Sequence, residues 1–277
     1  MTYIKNFGEI SKNDIKTVGG KGASLGELIN AGIPVPPGFV ITIEVFKNFK
    51  NKEIPQEIID EILNAFDNLR TQRVAVRSSA VGEDSKTASW AGQLESYLNV
   101  SKDNLIDALK DCWKSIKSER AILYAKTNNI PQEKLAVAVV VQKMVESQAS
   151  GVVFTVNPVT QDKNQMMIEA AYGLGEMLVQ GLITPDNYAL DKKTLEIKNK
   201  TLNNQDKMLI FIGGENREVE TSQEKIGKQV ISDEEIKQLG KLAKRIEDHY
   251  GNPQDIEWAF EKDNFYILQS RPITTLD

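Results

Sequence analysis

The sequence predicts an α/β protein in two parts, on three observations. Segments with helical apolar spacing alternate with short apolar strands over the first 130 residues. Val-rich strand segments take over from residue 135, and a long helix near the end precedes two closing strands.

Taken in order, helices are expected at 23–31, 57–69 and 103–126, with strands at 38–42 and 73–77 between them. LAVAVVVQKMV (135–145) and GVVFTV (151–156) are apolar, rich in Val and long enough for buried strands. Further strands are expected at 166–170, 187–191, 194–198 and 208–212, and the polar segment 200–230 reads as a mobile surface region. The late helix starts at Ser232, with Glu235 three residues on as a capping box, and stops at Gly251, with Pro253 beyond. The closing strands are 255–260 and 265–272. The composition shift places a boundary near 143–150, giving lobes 1–145 and 146–277 with ESQAS (146–150) as the hinge.

At 277 residues the chain exceeds the length of about 150 typical of one domain. No apolar run approaches the roughly 20 residues that span a bilayer, and the opening MTYIKNFGEISKND lacks a signal-peptide core, so a cytoplasmic protein away from membranes is expected. The single cysteine, Cys112, excludes an intramolecular disulfide and reads as buried filler. The single histidine, His249, excludes a multi-histidine zinc site within the chain and falls in the last turn of the late helix, where a cation is favourable. A net charge of -5 argues against nucleic acid as the main partner.

Four segments carry candidate chemistry. Val18-Gly19-Gly20-Lys21-Gly22 feeds a helix, so backbone N–H groups and the Lys21 ammonium can meet an anion. It matches neither the P-loop nor the G-x-G-x-x-G spacing, and an ordinary glycine turn with a solvated lysine is the alternative. RVAVRSSAVGED (73–84) ends a strand on Arg77, which suits either phosphate or a structural ion pair, and the small residues of Ser89–Gln93 suit either a phosphate-covering loop or a plain turn. In the closing hairpin, a three-residue loop at 262–264 would put Glu257 opposite Gln269. A carboxylate and an amide oxygen could then share one hard cation, with Arg271 on the same face and Ile256, Trp258, Phe260, Tyr266 and Leu268 on the core side. An exposed Glu–Arg pair is the alternative. Gln142-Lys143-Met144-Val145-Glu146 ends a buried strand and offers apolar surface for a base and a carboxylate for ribose, or simply core. A fifth segment, Glu169 to Glu176, leads into a helix without a definite role.

Together these segments resemble the nucleotide-binding module of the phosphoenolpyruvate synthase, pyruvate phosphate dikinase and rifampicin phosphotransferase group. The likeness runs in order through VGGKGASLGEL, PVPPGF, VRSSAVGED, ASWAGQLESYLNV, SGVVFTVNP, GLGE, ITPDNY, HYGNPQDIEWA and LQSRPIT. The resemblance implies an ATP-grasp fold whose two lobes hold ATP, with Mg2+ as the second cofactor. It implies that Lys21 and Arg77 hold phosphates, that Glu257 and Gln269 bind the metal, and that Arg271 lies on the phosphate chain. It further implies that Gln142, Met144, Val145 and Glu146 border the adenosine, and that the loop around Gly92 and Ser96 covers the phosphates.

Such enzymes pass the β-phosphoryl of ATP to a histidine on a swivelling domain, and a further domain binds the acceptor. Nothing in this chain resembles either domain, so both are expected as partners. Pyruvate is the expected acceptor, with a rifamycin-type antibiotic as the alternative and a non-catalytic nucleotide sensor as the reading from another class. One small departure is Thr160-Gln161, where a glycine commonly follows the threonine.

Overall fold

The computed structural model describes residues 2–81, 95–127 and 136–273. The chain forms two compact units, Met1–Gly32 with Pro36–Met144 and Ile33–Val35 with Val145–Asp277.

The first unit comprises β1 (Ile4–Asn6), α1 (Ile15–Asn30), β2 (Gly38–Ile41), α2 (Ile43–Phe49), α3 (Gln56–Asn68), β3 (Val74–Ala80), β4 (Ser96–Val100), α4 (Leu105–Ser115), α5 (Glu119–Thr127) and β5 (Val137–Lys143). Its sheet has the order β1-β2-β5-β3-β4 with antiparallel neighbours. β5 is central, which is why its Val run is buried on both faces. One face packs Val74, Val76, Val139 and Val141 against α2, α3 and α4; α3 supplies Ile58, Ile62 and Phe66, a helical stripe. The other face lies under α1, where a Cβ at Gly22 would sit 3.1 Å from Val40.

The second unit comprises β6 (Ala149–Phe154), β7 (Gln165–Tyr172), α6 (Glu176–Val179), β8 (Asp186–Asp191), β9 (Ile197–Thr201), β10 (Lys207–Ile212), β11 (Glu215–Glu220), α7 (Asp233–Tyr250), β12 (Gln254–Glu261) and β13 (Asn264–Pro272). Its main sheet runs β13-β12-β6-β7-β8-β9, again antiparallel, and β10–β11 is a separate ribbon. α7 has the expected ends: Ser232 and Glu235 form the capping box and Gly251 closes it in the left-handed region. It lies close over the sheet, since a Cβ at Gly240 would stand 3.0 Å from Leu190. The Pro34 carbonyl accepts from the Ile267 N–H at 2.8 Å, so Ile33–Val35 runs beside β13.

Several element expectations need correction. The stretch 103–126 is two helices, because the chain turns at 116–118 and the Ser118 hydroxyl accepts from the Ala121 N–H to start α5. The segment 200–230 contains the paired strands β10 and β11, turned at Gly213 and Gly214 with positive φ. The last hairpin turns on two residues, Lys262 and Asp263, both left-handed, so Phe265 and Ile267 are buried opposite Phe260 and Trp258 while Tyr266 and Leu268 are half-buried. β1, α2 and β4 are further elements that the sequence pattern does not predict.

Candidate functional site

In the first unit the predicted residues converge on the α1 face of the sheet. Register pairs Arg77 with Val140 on one side and Ser96 on the other, while Ala75 pairs with Gln142 and Ser79 with Ala138. Arg77, Ser79 and Gln142 therefore point to one face by the two-residue strand period. α1 lies over that face and is interrupted at Gly19 (φ 72°, ψ 176°), so its helical run restarts at Gly20 with Lys21 in its first turn.

A hydroxyl from β3 anchors this break: Ser79 Oγ donates to the Val18 carbonyl at 2.8 Å and accepts the Gly22 N–H at 3.1 Å. It caps the restarting helix from a distant strand. Lys21 and Arg77 are both buried, at 9% and 8% exposure, an uncommon setting for cations. The Gln142 side-chain nitrogen is buried and has no hydrogen-bond partner among the described residues. A buried amide donor in that state costs about 1–3 kcal/mol until something accepts from it.

Other predicted residues sit at the edges. The Met144 N–H donates to the Arg73 carbonyl in the first unit. Val145 is buried in the second unit, where the Glu146 N–H donates to the Glu261 carboxylate at 3.1 Å. Gly92 lies outside the described residues, as does the whole of Ser89–Gln93.

In the second unit Glu257 stands directly opposite Gln269. The route differs from the expected one: the tight turn offsets the strands by one residue, and a bulge after Glu257, with Leu268 as the extra residue, restores the pairing. Register across β6, β7 and β8 extends the row as Gln269, Glu257, Val152, Glu169 and Asn187. The adjacent row, Ile256, Val153, Ile168 and Tyr188, is fully buried on the opposite face. The polar row thus occupies the face away from α7.

Arg271 does not stand alone on that face. Its Nε and one Nη both donate to Asp255 Oδ2, at 2.8 and 2.6 Å, in a mostly buried pair. Sequence reasoning missed Asp255, although the register that opposes Glu257 and Gln269 also opposes Asp255 and Arg271. Burial pushes the Asp255 carboxyl above its ordinary range, with Arg271 opposing the shift and Glu257 adding to it. Burial also raises Glu169, and the charge of Asp255 adds to that. Asp255 and Glu169 thus carry charge on this face at a desolvation cost that nearby positive charge offsets, as Arg271 does for Asp255. Glu257 and Gln269 offer hard oxygen donors there, the type that suits Mg2+.

Comparison with known proteins shows the family to which the chain belongs. The chain matches the family model described as pyruvate phosphate dikinase, AMP/ATP-binding domain, over residues 15–54 and 48–277. It is 39% identical to the phosphoenolpyruvate synthase of Pyrococcus furiosus over 99% of this chain and 44% of that protein. It is 42% identical to a probable phosphoenolpyruvate synthase of Archaeoglobus fulgidus over 97% of this chain and 41% of the relative. A probable phosphoenolpyruvate synthase of Methanocaldococcus jannaschii is 39% identical, with 100% of this chain and 27% of that protein covered. The chain spans less than half the length of each. With the family model covering nearly all of it, the chain belongs to the AMP/ATP-binding domain family of the pyruvate phosphate dikinases.

Proposed function

We propose that this chain is the phosphoryl-donor part of a dikinase-type phosphotransferase. It would bind Mg·ATP and pass the β-phosphoryl group to a histidine on a swivelling domain or partner, releasing AMP. With a pyruvate-binding domain the net reaction would be that of phosphoenolpyruvate synthase: ATP, pyruvate and water to AMP, phosphoenolpyruvate and phosphate. The observation that carries the reading is the pairing of Glu257 with Gln269 beside Arg271, on a face that also carries the half-buried carboxylates of Asp255 and Glu169.

In this reading Lys21, Arg77 and Arg271 bind polyphosphate oxygens and neutralise the charge that moves during transfer. Glu257 and Gln269 would hold Mg2+, which supplies charge neutralisation at the phosphates when bound. Asp255 orients the Arg271 guanidinium through its two hydrogen bonds. The Gln142 amide, which has no partner among the described residues, donates to the base edge, Met144 and Val145 supply apolar surface, and Glu146 accepts from ribose hydroxyls. Ser96, opposite Arg77, and Gly92 belong to the phosphate-covering segment.

The test is calorimetric titration of the chain with Mg·ATP, followed by AMP release when a relative's histidine-bearing domain is supplied. Wild type should bind and release AMP only with that domain, and Glu257→Ala should bind more weakly and release none. Absence of Mg·ATP binding, or AMP release that Glu257→Ala leaves intact, would sink the proposal.

A further inference from the structure

The first unit has a charged concavity on the sheet face opposite Lys21, Arg77 and Gln142. It is a pocket of 540 Å³ beside α2 and α4. Phe46 and Trp113 form its floor, their rings packed edge-to-face at 5.9 Å. Lys50 and Lys52 line it from the segment after α2, and Lys110, Lys114 and Lys117 from α4 and the turn that follows.

Glu53 is the acidic residue among the lining side chains, so five lysines face one carboxylate in a chain whose net charge is -5. Lys110 and Lys114 are one helical turn apart, a spacing at which like charges repel, and Lys117 continues the row. Asp111 holds Lys114 at 2.7 Å in an exposed pair, which offsets part of that charge. The Lys50 ammonium lies 4.9 Å from the centre of the Phe46 ring and so stays at the rim of the floor. The sheet separates all five from the face that carries the proposed nucleotide contacts, so that function does not account for them.

We propose that this pocket binds a small polyanion carrying phosphate groups, at a site separate from the nucleotide. The volume falls inside the span of roughly 300–1,000 Å³ usual for ligand pockets. The cations lining it are all lysine. An ammonium is a point charge on a flexible stem, so several can converge on one phosphate group from different directions. Inorganic polyphosphate and phosphorylated metabolites share this chemistry.

The experiment titrates tripolyphosphate and, separately, a hexose bisphosphate into the isotope-labelled chain. It follows the indole N–H resonance of Trp113, assigned through its contacts with the Phe46 ring. The expected result is a saturable shift, unchanged in Lys21→Ala and at least tenfold weaker in a Lys110→Glu/Lys114→Glu variant, with a milder loss in the glutamine pair. The tighter of the two probes identifies the natural source as inorganic or organic. A shift that never saturates, that survives charge reversal, or that citrate reproduces at the same concentration overturns the proposal. Loss in Lys21→Ala would do so too, by assigning the signal to the nucleotide face.

Discussion

Gly19 and Ser79 meet so closely that a Cβ on Gly19 would lie 2.2 Å from the Ser79 carbonyl oxygen and 2.3 Å from its hydroxyl. This approach, together with the positive φ of Gly19, lets one serine on β3 hold both sides of the break before Lys21. Lys21 and Arg77 are thereby fixed to the same strand end.

Ser79→Ala removes an acceptor from the Gly22 N–H and a donor from the Val18 carbonyl, both buried. Stability should fall by about 2 kcal/mol. Affinity for Mg·ATP should fall about tenfold while adenosine affinity changes little, because about 1.4 kcal/mol of displacement is confined to the phosphate end. Parallel calorimetric titrations with the two ligands read the difference.

Gln161 has a φ of 57°, the left-handed conformation that favours glycine, at the position after Thr160 where the family resemblance leads one to expect that residue. Its N–H donates to the Asn157 carbonyl at 2.8 Å, and the Asn157 side chain accepts from Val159 and Thr160, so the loop is held despite the strain. Gln161→Gly should raise stability by about 0.5–1 kcal/mol, the left-handed penalty being partly offset by glycine's greater unfolded freedom. Urea denaturation at neutral pH measures it.

At Gly151 on β6 a Cβ would sit 1.9 Å from the Glu169 carbonyl oxygen and 2.8 Å from the Trp258 ring. Gly151→Ala should cost about 3 kcal/mol or more, since the obstacle is backbone of the neighbouring strand. Thermal unfolding should show a large drop, and a drop below 1 °C would contradict this packing.

Asp14 accepts from the Lys5 ammonium at 2.8 Å and from the Ser11 N–H and hydroxyl, and these bonds lower its pKa to about 2. Because the folded value lies below the unfolded one, the contribution is present above about pH 4 and disappears as pH falls toward 2. Asp14→Asn should therefore be less stable than wild type at pH 7 and match it near pH 2, as stability curves against pH would reveal.

Burial pushes the Cys112 thiol up to about 12, and the chain packs it beside the Ser78 and Ser115 hydroxyls. Thiolate is then scarce at neutral pH. A disulfide reagent at pH 8 should label Cys112 at the rate of unfolding, and rapid labelling of the native chain would contradict its burial.

Strong periodicity makes an element legible in the sequence. α7 shows both of its ends there, and the Val run of β5 names a central strand. Short α2, with seven residues, has too little pattern to register. The Gly213-Gly214 pair between MLIFI and NREVE is a hairpin signal that the polar composition around it masks.

Sequence arithmetic reaches the Glu257–Gln269 pairing through two errors that cancel, since it has no sight of a bulge. Ser79 is out of its reach altogether. The partners of that hydroxyl, Val18 and Gly22, lie 61 and 57 residues away, and a serine at a strand end announces no distant bond. Asp255 is within reach, because the register used for its neighbours already opposes it to Arg271.

The run of Ile33–Val35 beside β13 has a consequence for synthesis. Those three residues emerge early, yet Ile267, which donates to Pro34, is made more than 200 residues later. Through that interval Ile33, an apolar residue buried to 5% exposure in the finished protein, has no final seat. The second unit cannot close until the ribosome has passed Ile267. Separating the halves at Met144 would leave the later one without a piece of itself, so coexpressed halves should reassemble poorly unless a copy of that tripeptide travels with the second.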